Sequence, residues 1–150
     1  MQVHDRVQQR QFHGVAEEAL ISLLVAAGQL TQRLNDLCRR HGITHDQYNI
    51  LRILRGAHPE GHPRFEIARR LVSRAPDVTR LIDRLERQGL VERAWAAESR
   101  RHSIARITAA GLELLAAIDP EIEVLQQETV AGIGDAELET FSRICNRLIR

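Results

Sequence analysis

Apolar residues recur along most of this chain at intervals of three and four, the period of a helix with one buried face. Ala16, Leu20, Leu23, Ala27, Leu30, Leu34 and Leu37 step by 4, 3, 4, 3, 4 and 3, and Ile21, Leu24 and Cys38 widen the stripe. The spacing predicts one helix over residues 14–41, ended by Gly42. So long a helix projects beyond a small globular unit and needs a second surface to cover it, expected here to be a second subunit. Thr44 and Gln47 then have the spacing of a capping box, with Ile43 and Tyr48 as a hydrophobic staple around it. The helix they start is predicted to run to about Arg55, with Tyr48, Leu51 and Leu54 inside. Residues 56–63 (GAHPEGHP) read as a loop, and Pro63 suits the first turn of the next helix.

That next helix is short, with Phe65, Ala68, Leu71 and Val72 on its predicted inner side. A further helix is predicted over residues 76–88. Val78, Leu81, Ile82 and Leu85 make its apolar face; Pro76, Arg80, Asp83 and Arg87 gather opposite, with Thr79 and Arg84 on the flanks. Gly89 ends it, as a residue that turns left-handed without a Cβ penalty. Only Ser73, Arg74 and Ala75 separate the two apolar patterns. Two helices joined so tightly suggest a helix-turn-helix, whose second helix can lie in a DNA major groove.

Beyond Gly89 the period changes to two. Residues 90–94 and 103–107 alternate like strands, Leu90, Glu92 and Ala94 facing one way and Val91 and Arg93 the other. Between them lies a polar tip with paired arginines, Arg100 and Arg101. A hairpin directly after a recognition helix is a wing, whose arginines can reach the sugar-phosphate backbone or the adjacent minor groove. Thr108 is a good N-cap for a helix carrying Leu112, Leu115, Ile118, Ile122 and Leu125. Pro120 is expected to kink or restart it, because Asp119-Pro120 resembles an N-cap followed by a first helical residue. Residues 132–135 break the pattern, and a last helix shows Leu138, Phe141, Ile144, Cys145 and Leu148. Residues 1–13 are polar and read as a disordered arm.

The order IARRL, PDVTRLIDRLERQGLVER, SRR, ARIT and a following G and LL resembles the MarR family of bacterial transcription regulators. The resemblance spans residues 20–148; its most specific parts are residues 77–93 and the arginine pair of the wing. It implies a mostly α fold with a small β-hairpin wing: a winged helix-turn-helix lobe over residues 44–107, flanked by dimerisation helices over 14–42 and 108–150, with residues 1–13 as an N-terminal arm. It implies a homodimeric DNA-binding regulator of the repressor type on a palindromic operator. By resemblance, Ser73, Arg74, Asp77, Thr79 and Arg80 lie where family members touch bases and phosphates, and Arg100 and Arg101 match the wing arginines. One departure stands out: the family often has Asp before that pair, where this chain has Ser99. That leaves open which wing arginine enters the groove, and Glu98 is a candidate substitute. The family also implies a small aromatic or phenolic effector between the dimer helices and the winged lobe, with His45, Tyr48 and Arg52 as candidate lining residues. Tyr48 is equally explained as a staple.

Charge changes the picture by its distribution. The formal net charge is only +1, but residues 64–106 hold eleven Arg against six acids, whereas residues 107–150 hold three Arg against eight acids. A basic middle and an acidic tail fit a DNA-facing region and a separate packing region. There is no Lys. Arg suits bidentate contact with phosphate and guanine, though arginine-rich codon usage accounts for most of this bias. An aromatic content of 3% favours helices over a β-sandwich.

Candidate chemistry is weighed on this frame. Arg80, Arg84 and Arg87 share their helix with Asp77, Asp83 and Glu86, so surface ion pairs such as Arg80 with Asp83 compete with DNA contact. On the outer face of the second helix, DNA contact is the favoured role for Arg80 and Arg84. Asp77 either accepts from a cytosine amino group or favours the helix N-terminus. The spacings His58 to His62 and His41 to His45 admit a metal, but surface or capping roles fit better, and no cofactor or metal is expected. Cys38 and Cys145 have no ligand spacing; packing is favoured over redox sensing, and a reducing, cytoplasmic setting is expected. No signal peptide, membrane span, phosphate loop or nucleophile elbow is visible, so no enzyme is expected. The alternatives are a redox- or metal-responsive regulator of the same fold, or a winged helix used only for protein contacts, which would call for a neutral or acidic recognition helix.

Overall fold

The computed structural model describes residues 2–8, 11–72, 77–95 and 103–149. The elements follow in the order α1 (Val3–Val7), α2 (Val15–Arg40), α3 (His45–Gly56), β1 (His62–Pro63), α4 (Arg64–Arg70), α5 (Val78–Arg87), β2 (Val91–Trp95), β3 (Ser103–Ile107), α6 (Ala109–Thr129) and α7 (Asp135–Leu148).

α3 sits at the centre. Its Ile50, Leu51 and Leu54 are fully buried against Leu37 and Cys38 from the end of α2, and against Leu115 and Ile118 of α6. The same cluster continues through Ile67, Ile82 and Leu85 to Val91, Ala105 and Ile107 of the sheet. The predicted capping box starts α3: Thr44 Oγ1 accepts from the Gln47 amide at 3.2 Å, and Gln47 Oε1 accepts from the Thr44 amide at 2.9 Å. Ile43 and Tyr48 are buried on either side of it, as a staple requires. Gly89 adopts φ +73° and the Leu90 amide donates to the Leu85 carbonyl at 2.9 Å, which ends α5 as its sequence position implies. Thr108 caps α6 by accepting from the Gly111 amide at 3.1 Å, and its hydroxyl donates to the Gly89 carbonyl at 2.7 Å.

The long first stripe is covered only at one end. Leu37 and Cys38 are buried and Leu30 and Leu34 partly so, but Leu20 and Leu24 stand 50% and 71% exposed. α7 has no buried residue, although Phe141, Ile144 and Leu148 share one face of it. No helix among the described residues is long and apolar enough to cross a membrane.

Four local expectations are corrected. Part of the N-terminal arm is helical: α1 packs on α2, with the His4 ring 4.7 Å from that of Phe12 and its Nε2 3.4 Å from Glu18. α4 ends at Arg70, and Leu71 has extended backbone angles, so helical phase does not carry on to Val72. Its buried residue is therefore Ile67, while Phe65 and Val72 are 57% and 85% exposed and Ala68 is exposed. The 56–63 loop gives two residues to the sheet as β1, making three antiparallel strands in the order β1-β3-β2 with His62 opposite Ala105 and Val91 opposite Ile107. Finally, α6 runs through Pro120 without restarting. Leu115 and Ile118 before the proline and Ile122 and Leu125 after it enter the same core, and that shared burial outweighs the lost backbone hydrogen bond.

Candidate nucleic-acid interface

α5 owes its position to Ile82 and Leu85, which are buried, and to Val78 and Leu81, which are partly so. Asp77, Thr79, Arg80, Arg84, Glu86 and Arg87 are all exposed. Asp77 is the N-cap: its Oδ1 accepts from the Arg80 amide at 3.0 Å, and its Oδ2 lies 3.6 Å from Arg80 Nε. The carboxylate thus serves the helix N-terminus, the second of the two roles open to it from the sequence. Thr79 Oγ1 accepts from Arg64 Nη1 of α4 at 3.1 Å, which ties the two helices of the motif together.

The other two acids of α5 lie near Arg93 of the wing. Asp83 pairs with Arg93 of β2 rather than with Arg80, and Glu86 lies 3.7 Å from the same guanidinium. Arg93 is the least exposed member of this trio and points inward from the strand face that also carries Val91. Partly exposed pairs of this kind contribute little stability, about 0–1 kcal/mol each. Their consequence is directional. Asp77 is committed to the cap and Asp83 and Glu86 to the wing base, so the outward stripe of α5 carries Arg80, Arg84 and Arg87. Sequence reasoning had no means to see Arg93 as this brace, because the pairing depends on how β2 crosses α5. The predicted contact residues Ser73, Arg74, Arg100 and Arg101, together with Glu98 and Ser99, lie outside the described residues.

The effector candidates do come together, on α3. The His45 and Tyr48 rings stack with centroids 6.2 Å apart, and the Arg52 guanidinium sits 5.8 Å from the Tyr48 centroid. Tyr48 itself is buried, and its hydroxyl donates to Asp119 Oδ1 at 2.9 Å. Burial, reinforced by that bond, pushes its phenol up to about 12. Burial likewise lowers the His45 imidazole, against the nearby Asp46 carboxylate and with help from Arg52. A cavity of about 450 Å³ does open in the winged lobe, but between α4, α5 and the sheet, lined by Arg64, Phe65, Thr79, Ile82 and Arg93. Among the described residues no three His, Cys, Asp or Glu side chains converge as a metal site would need.

Comparison with known proteins decides the family. The sequence profile of the MarR family matches residues 43–103. A crystal structure of a MarR transcription factor from Planctomyces limnophilus is 32% identical, with a TM-score of 0.72, over 91% of this chain and 98% of that one. The chain belongs to the MarR family. The HTH-type transcriptional regulator MhqR of Bacillus subtilis is 24% identical over 85% of this chain and 87% of its own length. The Staphylococcus aureus MepR–DNA complex has the same fold, with a TM-score of 0.76 at 22% identity, over 85% of this chain and 93% of that one. A MarR-family protein is a transcription regulator and not an enzyme. The profile covers α3 through the start of β3, and the Planctomyces relative extends the likeness to the flanking helices. In this MarR-family chain Cys38 is fully buried, and burial raises its thiol to about 11, partly offset by Arg40. It therefore carries no thiolate at neutral pH.

Proposed function

We propose that this chain is a homodimeric repressor that binds a palindromic operator, inserting α5 of each subunit into successive major grooves. Half-site centres then lie about 10 base pairs apart, one helical turn. The observation that carries the reading is the outward stripe of Arg80, Arg84 and Arg87, with the acids of α5 turned to the cap and to Arg93. A protein-interaction module would lack such a cationic face. Two solved relatives of the same fold are complexes with DNA: MepR of S. aureus, and a mutant MarR from E. coli complexed with operator DNA. In this reading Ser73, Arg74, Asp77 and Thr79 lie at the groove edge, Arg80 reads a base, and Arg100 and Arg101 follow the backbone or minor groove from the wing.

The dimer reading is supported by apolar faces that a single chain leaves bare, on α7 and on the N-terminal half of α2. These faces fit the assignment of residues 14–42 and 108–150 to dimerisation and of residues 44–107 to the winged lobe. Release by a small aromatic or phenolic effector is supported by the stacked His45 and Tyr48 rings and the adjacent Arg52, at the junction of the two regions. A ligand that favours one separation of the lobes shifts the DNA-competent population. A redox trigger at Cys38 is disfavoured by its burial and raised thiol.

The test is fluorescence anisotropy with DNA from the promoter beside this chain's own gene, against scrambled DNA, at two salt concentrations. Selective binding that falls steeply with salt is expected, and Arg80→Ala should cost about 1–3 kcal/mol of operator binding if it reads a base. If DNA selected from a random pool is bound no better than scrambled DNA, the operator reading is lost and the protein-contact reading takes its place.

A further inference from the structure

On a helix that turns about 100° per residue, Arg80, Arg84 and Arg87 fall within about 60° of one another, so they form one line along α5. The line runs about 10 Å from Arg80 to Arg87 at 1.5 Å per residue. Its far end opens into a cavity of about 440 Å³ between the end of α2, the start of α3 and the end of α5. Arg84, Arg87 and Gln88 line one side, and Arg39, Thr44 and Gln47 line the other. Among the described residues no carboxylate lines it. Among the described residues the guanidinium groups of Arg39, Arg84 and Arg87 have no ion pair, in contrast to Arg40, Arg55 and Arg93, each of which holds an acid. Thr44 Oγ1 and Gln47 Oε1 are occupied as acceptors in the capping box, so what the cavity offers a ligand is chiefly donors, the cationic ones foremost.

The two walls are fixed to each other. Gln88 Nε2 donates to the Gly42 carbonyl at 2.9 Å, joining the end of α5 to the turn that follows α2. Arg39 is thereby held across the cavity from Arg84 and Arg87. The ordinary role of an arginine in the last turn of a helix is to offset the helix dipole. Arg40 already does so in α2 while bound to Glu121 at 2.9 Å. Three guanidinium groups around one concavity repel each other and gain most from an oxyanion, which each can meet with two parallel N–H groups.

We propose that this cavity is a phosphate site, that Arg39 completes it, and that its occupant is a backbone phosphodiester of the bound DNA. The choice of DNA rests on the function proposed above. The arginine line runs from the groove-reading residue Arg80 to the cavity, and its length of about 10 Å is close to the roughly 12 Å width of the major groove. One end therefore stands over base edges when the other is at the sugar-phosphate border. The consequence is mechanistic: a phosphate held between Arg39 and Arg87 bridges α2, the long helix with the bare apolar stripe, and α5.

The test uses the full chain and three proteins: wild type, Arg39→Gln, and Arg143→Gln on α7 as a control of equal charge change. Each is titrated with operator and with scrambled DNA over a salt series. Arg39→Gln is expected to weaken both DNAs by the same factor and to reduce the slope of log affinity against log salt by about 0.9, the value of one phosphate. Arg143→Gln should leave the slope unchanged. In a second arm, DNA-free protein is titrated with inorganic phosphate while the arginine Nε–H resonances are followed by NMR. Shifts at Arg39, Arg84 and Arg87 that vanish in Arg39→Gln support the site. If phosphate shifts those signals but Arg39→Gln binds DNA like wild type, the DNA assignment is overturned and the site takes a free phosphorylated molecule. If neither arm responds to Arg39→Gln, the phosphate site is overturned. If wild type itself binds no DNA, it is the operator reading that has failed, and the phosphate arm still decides the cavity.

Discussion

Tyr48 and Asp119 meet across the junction of α3 and α6, the phenolic hydroxyl donating to Asp119 Oδ1 at 2.9 Å while Arg55 Nη1 donates to the other oxygen at 2.5 Å. This contact explains why Asp119-Pro120 does not begin a new helix. An N-cap aspartate needs its carboxylate for the amides that follow it. Here both oxygens are engaged by side chains of α3. Tyr48 thus has a structural duty beside any role toward an effector.

Replacing Tyr48 by Phe removes that bond and leaves Asp119 with Arg55 alone. Because Asp119 and Arg55 are both partly exposed, the expected loss is about 1.5 kcal/mol, at the lower end for hydrogen bonds to charged groups. The pH dependence gives a sharper reading. The Tyr48 phenol ordinarily titrates near 10 and is pushed up to about 12 in the folded chain. A raised acid means the folded state favours the neutral form, so the stability it lends is complete below pH 10 and is lost as pH rises toward 12. Urea unfolding of wild type and Tyr48→Phe from pH 8 to 11 should show the gap between them closing at the alkaline end. A constant gap would mean that the hydroxyl is not what matters.

Arg93 is expected to act on DNA without touching it. It holds Asp83 and Glu86 of α5 against the base of β2. Arg93→Met frees both carboxylates on a helix that must approach phosphates. Operator affinity should fall about tenfold, a loss of about 1.4 kcal/mol, with little change in the unfolding midpoint. Adding Asp83→Asn to Arg93→Met should restore part of the affinity, because one liberated charge is gone. Anisotropy titrations of the two variants decide it: no recovery in the double variant means that wing position, not charge, carries the effect.

Much of this architecture was legible from the chain because the relevant forces act over a few residues. Thr44 with Gln47, Gly89 and Thr108 mark helix ends through local hydrogen bonds and backbone freedom, and each stands where the pattern put it. The inner face of α4 was misplaced because seven residues give barely two turns, too few to fix the phase between Phe65 and Ile67. Pro120 was misjudged for the opposite reason: its neighbours Ile118 and Ile122 are held by a core assembled from distant helices. On the candidate interface, the stripe of Arg80, Arg84 and Arg87 followed from helical period. Arg39, Arg64 and Arg93 did not, since their partners are set by tertiary approach.

Gly111 offers a test of how closely the sheet and α6 approach. It is buried, and a Cβ built there stands 2.4 Å from the Leu90 carbonyl oxygen and 2.6 Å from Ile107 Cγ1. The first of these is backbone and cannot swing aside. Gly111→Ala therefore forces α6 away from the turn where Thr108 bonds the Gly89 carbonyl. The expected cost is about 2–3 kcal/mol, near the top of the range for overpacking, although alanine is the better helix former. Chemical denaturation at neutral pH measures it. A neutral or stabilising result would show that α6 and the backbone of Leu90 are not in contact.

The apolar face of α7 is where the proposed dimer can be tested. Phe141, Ile144 and Leu148 recur at i, i+3 and i+7 and are 55%, 51% and 53% exposed in the single chain, and Cys145 beside them is only partly covered. Three large apolar side chains in one line on a helix with no buried residue form a patch that a lone soluble chain rarely leaves bare. Ile144→Asp places a charge in the middle of that line at no packing cost to the single chain, because nothing there is buried. If α7 is the dimer face, the variant should elute as a monomer by light scattering at concentrations where wild type is dimeric. Each monomer then contacts one half-site, so operator binding should fall by orders of magnitude, while binding to scrambled DNA falls far less. Its unfolding midpoint should also become independent of protein concentration, in contrast to wild type. A variant that stays dimeric would move the interface away from α7, to the bare stripe of Leu20 and Leu24 on α2.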